Sequence, residues 1–89
     1  MAIVWSQIEW HDIRISPEDM PDEEEDVLVT VENLDGSRRT RANVFWKEAP
    51  NGDVIWYEHV WSQETHRYED AILWYPVIAW AYYPDPYIR

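Results

Sequence analysis

The chain has no cysteine and only two glycines. The first absence excludes a disulfide framework, a zinc–thiolate centre and a thiol nucleophile, and makes a reducing cytoplasm the plain expectation. The second excludes the glycine-rich loops whose backbone amides cradle phosphate. Cations are scarce as well: seven Lys and Arg stand against eighteen Asp and Glu, a formal charge of −11. Such a chain repels DNA, RNA and anionic membranes, so its expected partners are basic. The longest apolar stretch, AILWYPVIAWAYY, is broken by Pro76 and too short to span a bilayer, and the first residues show no basic leader. The reading is a soluble cytoplasmic protein.

What the chain has in quantity is aromatic rings, with seven Trp and six Tyr among 89 residues. Rings bury large areas per residue and let a short chain offset its conformational entropy without disulfides or metals. One domain spanning residues 1–89 is expected, because separate cores need longer chains.

Periodicity points to a mainly β fold, with α+β as the alternative: a small antiparallel meander of three to four strands covered by an N-terminal segment with a short helical turn. VLVTVE (27–32) alternates and is β-branched, with Val27, Val29 and Val31 on one face. Asp35-Gly36 supplies a hairpin turn, and RRTRANVFW returns with Ala42, Val44 and Trp46 toward the core and Arg39, Arg41, Asn43 and Phe45 away from it. Asn51-Gly52 marks the next turn, before a strand VIWYEHV (54–60). The polar stretch 61–70 reads as a loop or a single helical turn. VIAWAYY (77–83) reads as the last strand, stopped by Pro84 and Pro86. Ser16-Pro17-Glu18-Asp19 looks like a capped helical turn, and Ile3 to Ile15, with Trp5, Ile8, Trp10 and Ile13, is expected to cover the open face. Trp46, Trp56 and Trp80 are expected inside.

Catalytic patterns are missing. Ser6, Ser16, Ser37 and Ser62 lie in ordinary polar or turn contexts, with no nucleophile elbow. His11, His59 and His66, even with Glu58 or Glu69, fit no metal-ligand spacing, and Glu58 is a lone candidate for paired-carboxylate chemistry. The expectation is no enzyme, no cofactor and no metal. SRRTR followed by Phe45-Trp46-Lys47 has the composition of a single-strand binder, but within so acidic a chain its arginines are read as partners of nearby acids, with no direct nucleic-acid binding.

Nine of the eighteen acids fall within the first 26 residues, and five are consecutive, Asp22 to Asp26. As a bland reading, the run is a solvated loop that aids solubility. As a site, Glu18, Asp19, Asp22, Glu23, Glu24, Glu25 and Asp26 imitate the charge density of a nucleic-acid backbone, about one charge per 1.7 Å of duplex, and block a basic nucleic-acid-binding surface. The alternative is a phage structural or regulatory domain that binds protein, or itself as a homodimer, through Trp61, Tyr68, Trp74 and Tyr75.

Trp10, Ile15-Ser16, Met20-Pro21, Val27-Leu28-Val29 and the closing Trp80, Tyr83, Pro84, Asp85 and Pro86 together form a layout that resembles the phage and prophage family called domain of unknown function 551. Met20 stands where that family has Leu, and Ala81-Tyr82 where it has Met-Pro. The resemblance implies a mobile-element origin and a compact β fold, and carries no catalytic residue. With the acid run it suggests an inhibitor of the anti-CRISPR or anti-restriction type.

Overall fold

Alternating valines set the centre of the molecule. In the computed structural model, which describes residues 8–84, six strands are numbered in chain order: β1 His11–Asp12, β2 Val27–Glu32, β3 Arg38–Glu48, β4 Val54–Ser62, β5 Arg67–Ile72 and β6 Val77–Ala81. They form one open antiparallel sheet in the order β1-β6-β2-β3-β4-β5. Among the described residues there is no helix, and so none long and apolar enough to cross a membrane. The fold is therefore all-β, with six strands in place of the three or four expected. β2 to β5 are the meander, whereas β6 crosses back to lie beside β2.

Val27, Val29 and Val31 are fully buried on one face, and with Val44, Trp56, Leu73 and Trp80 they make the core. Ile13, Met20, Trp46 and Val77 pack against it. The expected cover is thus formed by Ile13 and Met20, with buried Pro21, while Ile8 and Trp10 stay partly exposed; Ile3 to Gln7, including Trp5, lie outside the described residues. Ser16 to Asp19 makes hydrogen-bonded turns, with Ser16 N–H donating to the Asp12 carbonyl and Asp19 N–H to that of Ser16. The expected helical turn is absent because Pro17 and Pro21 leave room for no helical ladder.

The face expected for Ala42 is also corrected. Val27 opposes Val44 but Val29 opposes Arg41, so two residues of β3, Ala42 and Asn43, face one of β2, Leu28. Asn43, at φ 58°, occupies this bulge, a conformation that Asn tolerates better than most residues. The extra residue turns Arg39 and Arg41 onto the core face and leaves Ala42 exposed. Arg41 then reaches Glu58, which opposes Val44 on β4, at 2.5 Å. Phe45 does point away from the core valines, but it is buried there between Tyr57 and His59.

The polar stretch 61–70 is not a loop. Trp61 and Ser62 end β4, residues 63–66 turn, and β5 returns in register, with Trp61 opposite Tyr68 and Ser62 opposite Arg67. His66, at φ 53°, completes the turn. The radius of gyration, 15.0 Å, exceeds the roughly 12 Å of a compact chain this long. One sheet without a second full layer explains why large rings remain exposed on both of its sides.

Candidate functional site: the acidic loop and the ring patch beside it

The acid run lies on the loop that enters β2, and the core itself holds that loop down. The indole N–H of buried Trp80 donates to the Asp19 carbonyl at 2.6 Å, and that of Trp46 to the Pro21 carbonyl at 2.8 Å. Glu24, with φ 67°, donates its N–H to the Trp46 carbonyl at 2.9 Å, and the Glu23 carboxylate accepts the Glu48 N–H at 2.9 Å. The loop is pinned to the end of β3 rather than hanging in solvent.

Side chains pin it further. His11, stacked on Trp80 at 4.2 Å, bonds the Asp19 carboxylate at 2.7 Å. Lys47 lies 3.8 Å from Glu24. His59 on β4 reaches Asp26 through Nε2 at 2.9 Å and Asp70 on β5 through Nδ1 at 2.8 Å. A neutral imidazole has one donor, so the imidazolium is the form that satisfies carboxylates on both nitrogens. Burial works against the charged ring, but hydrogen bonds and charge from Asp26 and Asp70 outweigh it and hold the His59 pKa above its ordinary value.

Of the seven acids named from the sequence, Asp19, Glu23, Glu24 and Asp26 thus have specific partners, whereas Glu18, Asp22 and Glu25 have no side-chain partner among the described residues. Asp22 and Glu25 are not dispersed. Partial desolvation, then the charges of Glu25, Asp22 and Asp19, raise the pKa of the half-exposed Tyr82 phenol, so the loop's negative field reaches this ring. Tyr82 in turn meets Trp80 edge-on at 5.0 Å. This acid-rimmed ring patch has no sequence signature, because the loop and the end of β6 meet only through the crossover.

None of the described arginines reaches the run. Arg14 grips Asp12 at 2.8 Å and pulls that carboxyl down to about 2. Arg38 lies 3.8 Å from Glu32, Arg41 pairs with Glu58, and Arg39 sits 5.4 Å over the Tyr75 ring. The sequence expectation that the SRRTR arginines serve nearby acids holds for Arg38 and Arg41, and those acids are not the loop's.

The four aromatics of the alternative interface fall apart into two places. Trp61 and Tyr68 meet edge-on at 5.3 Å on the face away from the core valines. Tyr75 lies in the β5–β6 connection against Arg39, on the core side, and its neighbour Trp74 is 82% exposed. Near Tyr68, an open hollow of about 290 Å³ is lined by Asn43, His59 and Tyr68. Both nitrogens of His59 are already engaged there, and its two carboxylates stand on opposite sides of the ring, so they do not converge on a cation. Among the described residues no cluster of His, Asp or Glu is arranged to hold a metal. No family model matches the chain, and no curated protein or solved structure matches it at a significant level.

Proposed function

We propose that the protein is a non-enzymatic acidic binding domain that occupies a basic, nucleic-acid-binding surface of another protein, presenting Glu18, Asp19, Asp22 and Glu25 of the acid loop, with Tyr82 within the field of the last three. The observation that carries this reading is the pair of unpartnered carboxylates, Asp22 and Glu25, on a held loop: the four arginines between residues 14 and 41 are engaged elsewhere, Lys47 and His59 meet Glu24 and Asp26 instead, and the loop is pinned by the indoles of Trp46 and Trp80. A held array of carboxylates loses less freedom on docking than a mobile tail, which favours binding. Tyr82 adds a face over which a partner's guanidinium or ammonium can lie while the acids meet its charge. By analogy with the phage family that the sequence resembles, the setting is a mobile element, and the target a CRISPR or restriction nuclease of the host.

The double substitution Asp22→Asn, Glu25→Gln tests the reading, because neither side chain bonds anything within the described fold. The variant keeps the wild-type thermal unfolding profile and captures no nucleic-acid-binding protein from bacterial lysate, whereas wild-type captures such proteins and releases them to added duplex DNA. Equal capture by both proteins, or a captured set indifferent to DNA, would sink the reading.

A further inference from the structure

β5 ends the sheet, all its residues but Ala71 are exposed, and among the described residues no strand covers its outer side. Natural sheets blunt such edges with charged side chains, Pro or a bulge; β5 has neither Pro nor a bulge, and its charges are of both signs, Arg67 against Glu69 and Asp70. Leu73 N–H donates to the Trp56 carbonyl at 2.8 Å, continuing the β4–β5 register. By antiparallel alternation Ala71, Glu69 and Arg67 bond inward to β4, while Tyr68, Asp70 and Ile72 turn their N–H and C=O groups outward.

We infer that the outer edge of β5 pairs antiparallel with β5 of a second copy, centred on Tyr68. Ladder geometry requires outward residues to face outward residues, which leaves four symmetric registers of three residues or more, centred on Tyr68, Glu69, Asp70 or Ala71, and centring on Ala71 sets Asp70 opposite Ile72 and forms no ion pair. Centring on Glu69 sets that carboxylate opposite itself, and centring on Asp70 does the same for Asp70; like charges directly opposed are unfavourable. The Tyr68 register instead sets Arg67 opposite the second copy's Glu69 twice, and the ladder stops there because His66 lies in the turn at φ 53° with its N–H on the Ser62 carbonyl. It also brings two Tyr68 rings together on the face where each already meets Trp61. Neither Arg67 nor Glu69 is in an ion pair among the described residues; Glu69 only accepts the Thr65 hydroxyl at 3.1 Å.

The Tyr68 register pairs only Arg67 to Glu69, so the dimer is weak, dissociating on the order of 100 µM. Sedimentation equilibrium of the full chain from micromolar to millimolar concentration measures it. Glu69→Arg, which opposes Arg to Arg twice, weakens the dimer about tenfold, and Arg67→Glu combined with Glu69→Arg restores it. Hydrogen exchange locates it: with rising concentration the Tyr68 amide gains protection, while those of Arg67 and Glu69 are protected throughout. A chain that stays monomeric at millimolar concentration overturns the inference. So does a dimer that Glu69→Arg leaves intact, that the double exchange fails to restore, or that leaves the Tyr68 amide unprotected.

Discussion

His59 joins three parts of the molecule through one ring: the acid loop at Asp26, the edge strand at Asp70 and the Phe45 face, on which it stacks at 4.8 Å. Its pKa is raised above the ordinary 6.5, so its contribution to stability is complete below the unfolded value and fades as pH climbs through the folded one. Thermal unfolding of wild-type and His59→Gln across neutral pH should show a gap that narrows as pH rises. A gap independent of pH would remove the double clamp. Histidine was legible only as a solvated or hydrogen-bonded residue, because its two carboxylates lie 33 and 11 residues away along the chain and no local spacing joins them. The acid run was legible as charge. That Glu23, Glu24 and Asp26 are partly structural was not, since their partners are backbone groups and side chains of β3 and β4.

Strands with one buried face and one exposed face announce themselves, and β2 was read from its valines within its observed bounds. β5 was missed for the opposite reason: Arg67 to Ile72 is exposed on nearly every residue, so no apolar alternation marks it. Its pairing follows from the turn at residues 63–66 and from β4, which runs on through Trp61 and Ser62. The β3 bulge was hidden as well, since one extra residue leaves both flanking segments looking regular. Asn43 is tied there from outside, its N–H donating to the Tyr83 hydroxyl at 2.6 Å and its side-chain oxygen accepting from that hydroxyl at 3.2 Å. Replacing Asn43 with Val places a β-branched residue at positive φ and removes the acceptor. Chemical denaturation should show a loss of about 2 kcal/mol, whereas Asn43→Gly, which keeps the backbone freedom, costs less. An equal loss in both variants would show that φ at this site is not under strain.

At the scale of the whole molecule, a formal charge of −11 is spread over a single open sheet. Self-repulsion among so many carboxylates opposes the folded state, and added salt screens it, since the screening length falls from about 30 Å at 0.01 M to about 10 Å at 0.1 M ionic strength. The melting temperature should therefore rise with sodium chloride over that range, and rise less in the Asp22→Asn, Glu25→Gln variant, which has two fewer charges to screen. A melting temperature that falls with salt would mean that ion pairs such as Arg41–Glu58 outweigh repulsion.

The bulge has a further consequence. A single inserted residue works as a frameshift in space: from Asn43 back to Arg38, every side chain occupies the side its neighbour would otherwise hold. Straightening the bulge with every residue retained would return β3 to strict alternation and swing Arg39 and Arg41 off Tyr75 and Glu58 together, whereas excising Asn43 would leave both on the side they hold. In the first case two cations would migrate across the sheet, and the electrical polarity of the two sides would be redrawn without the gain or loss of a single residue.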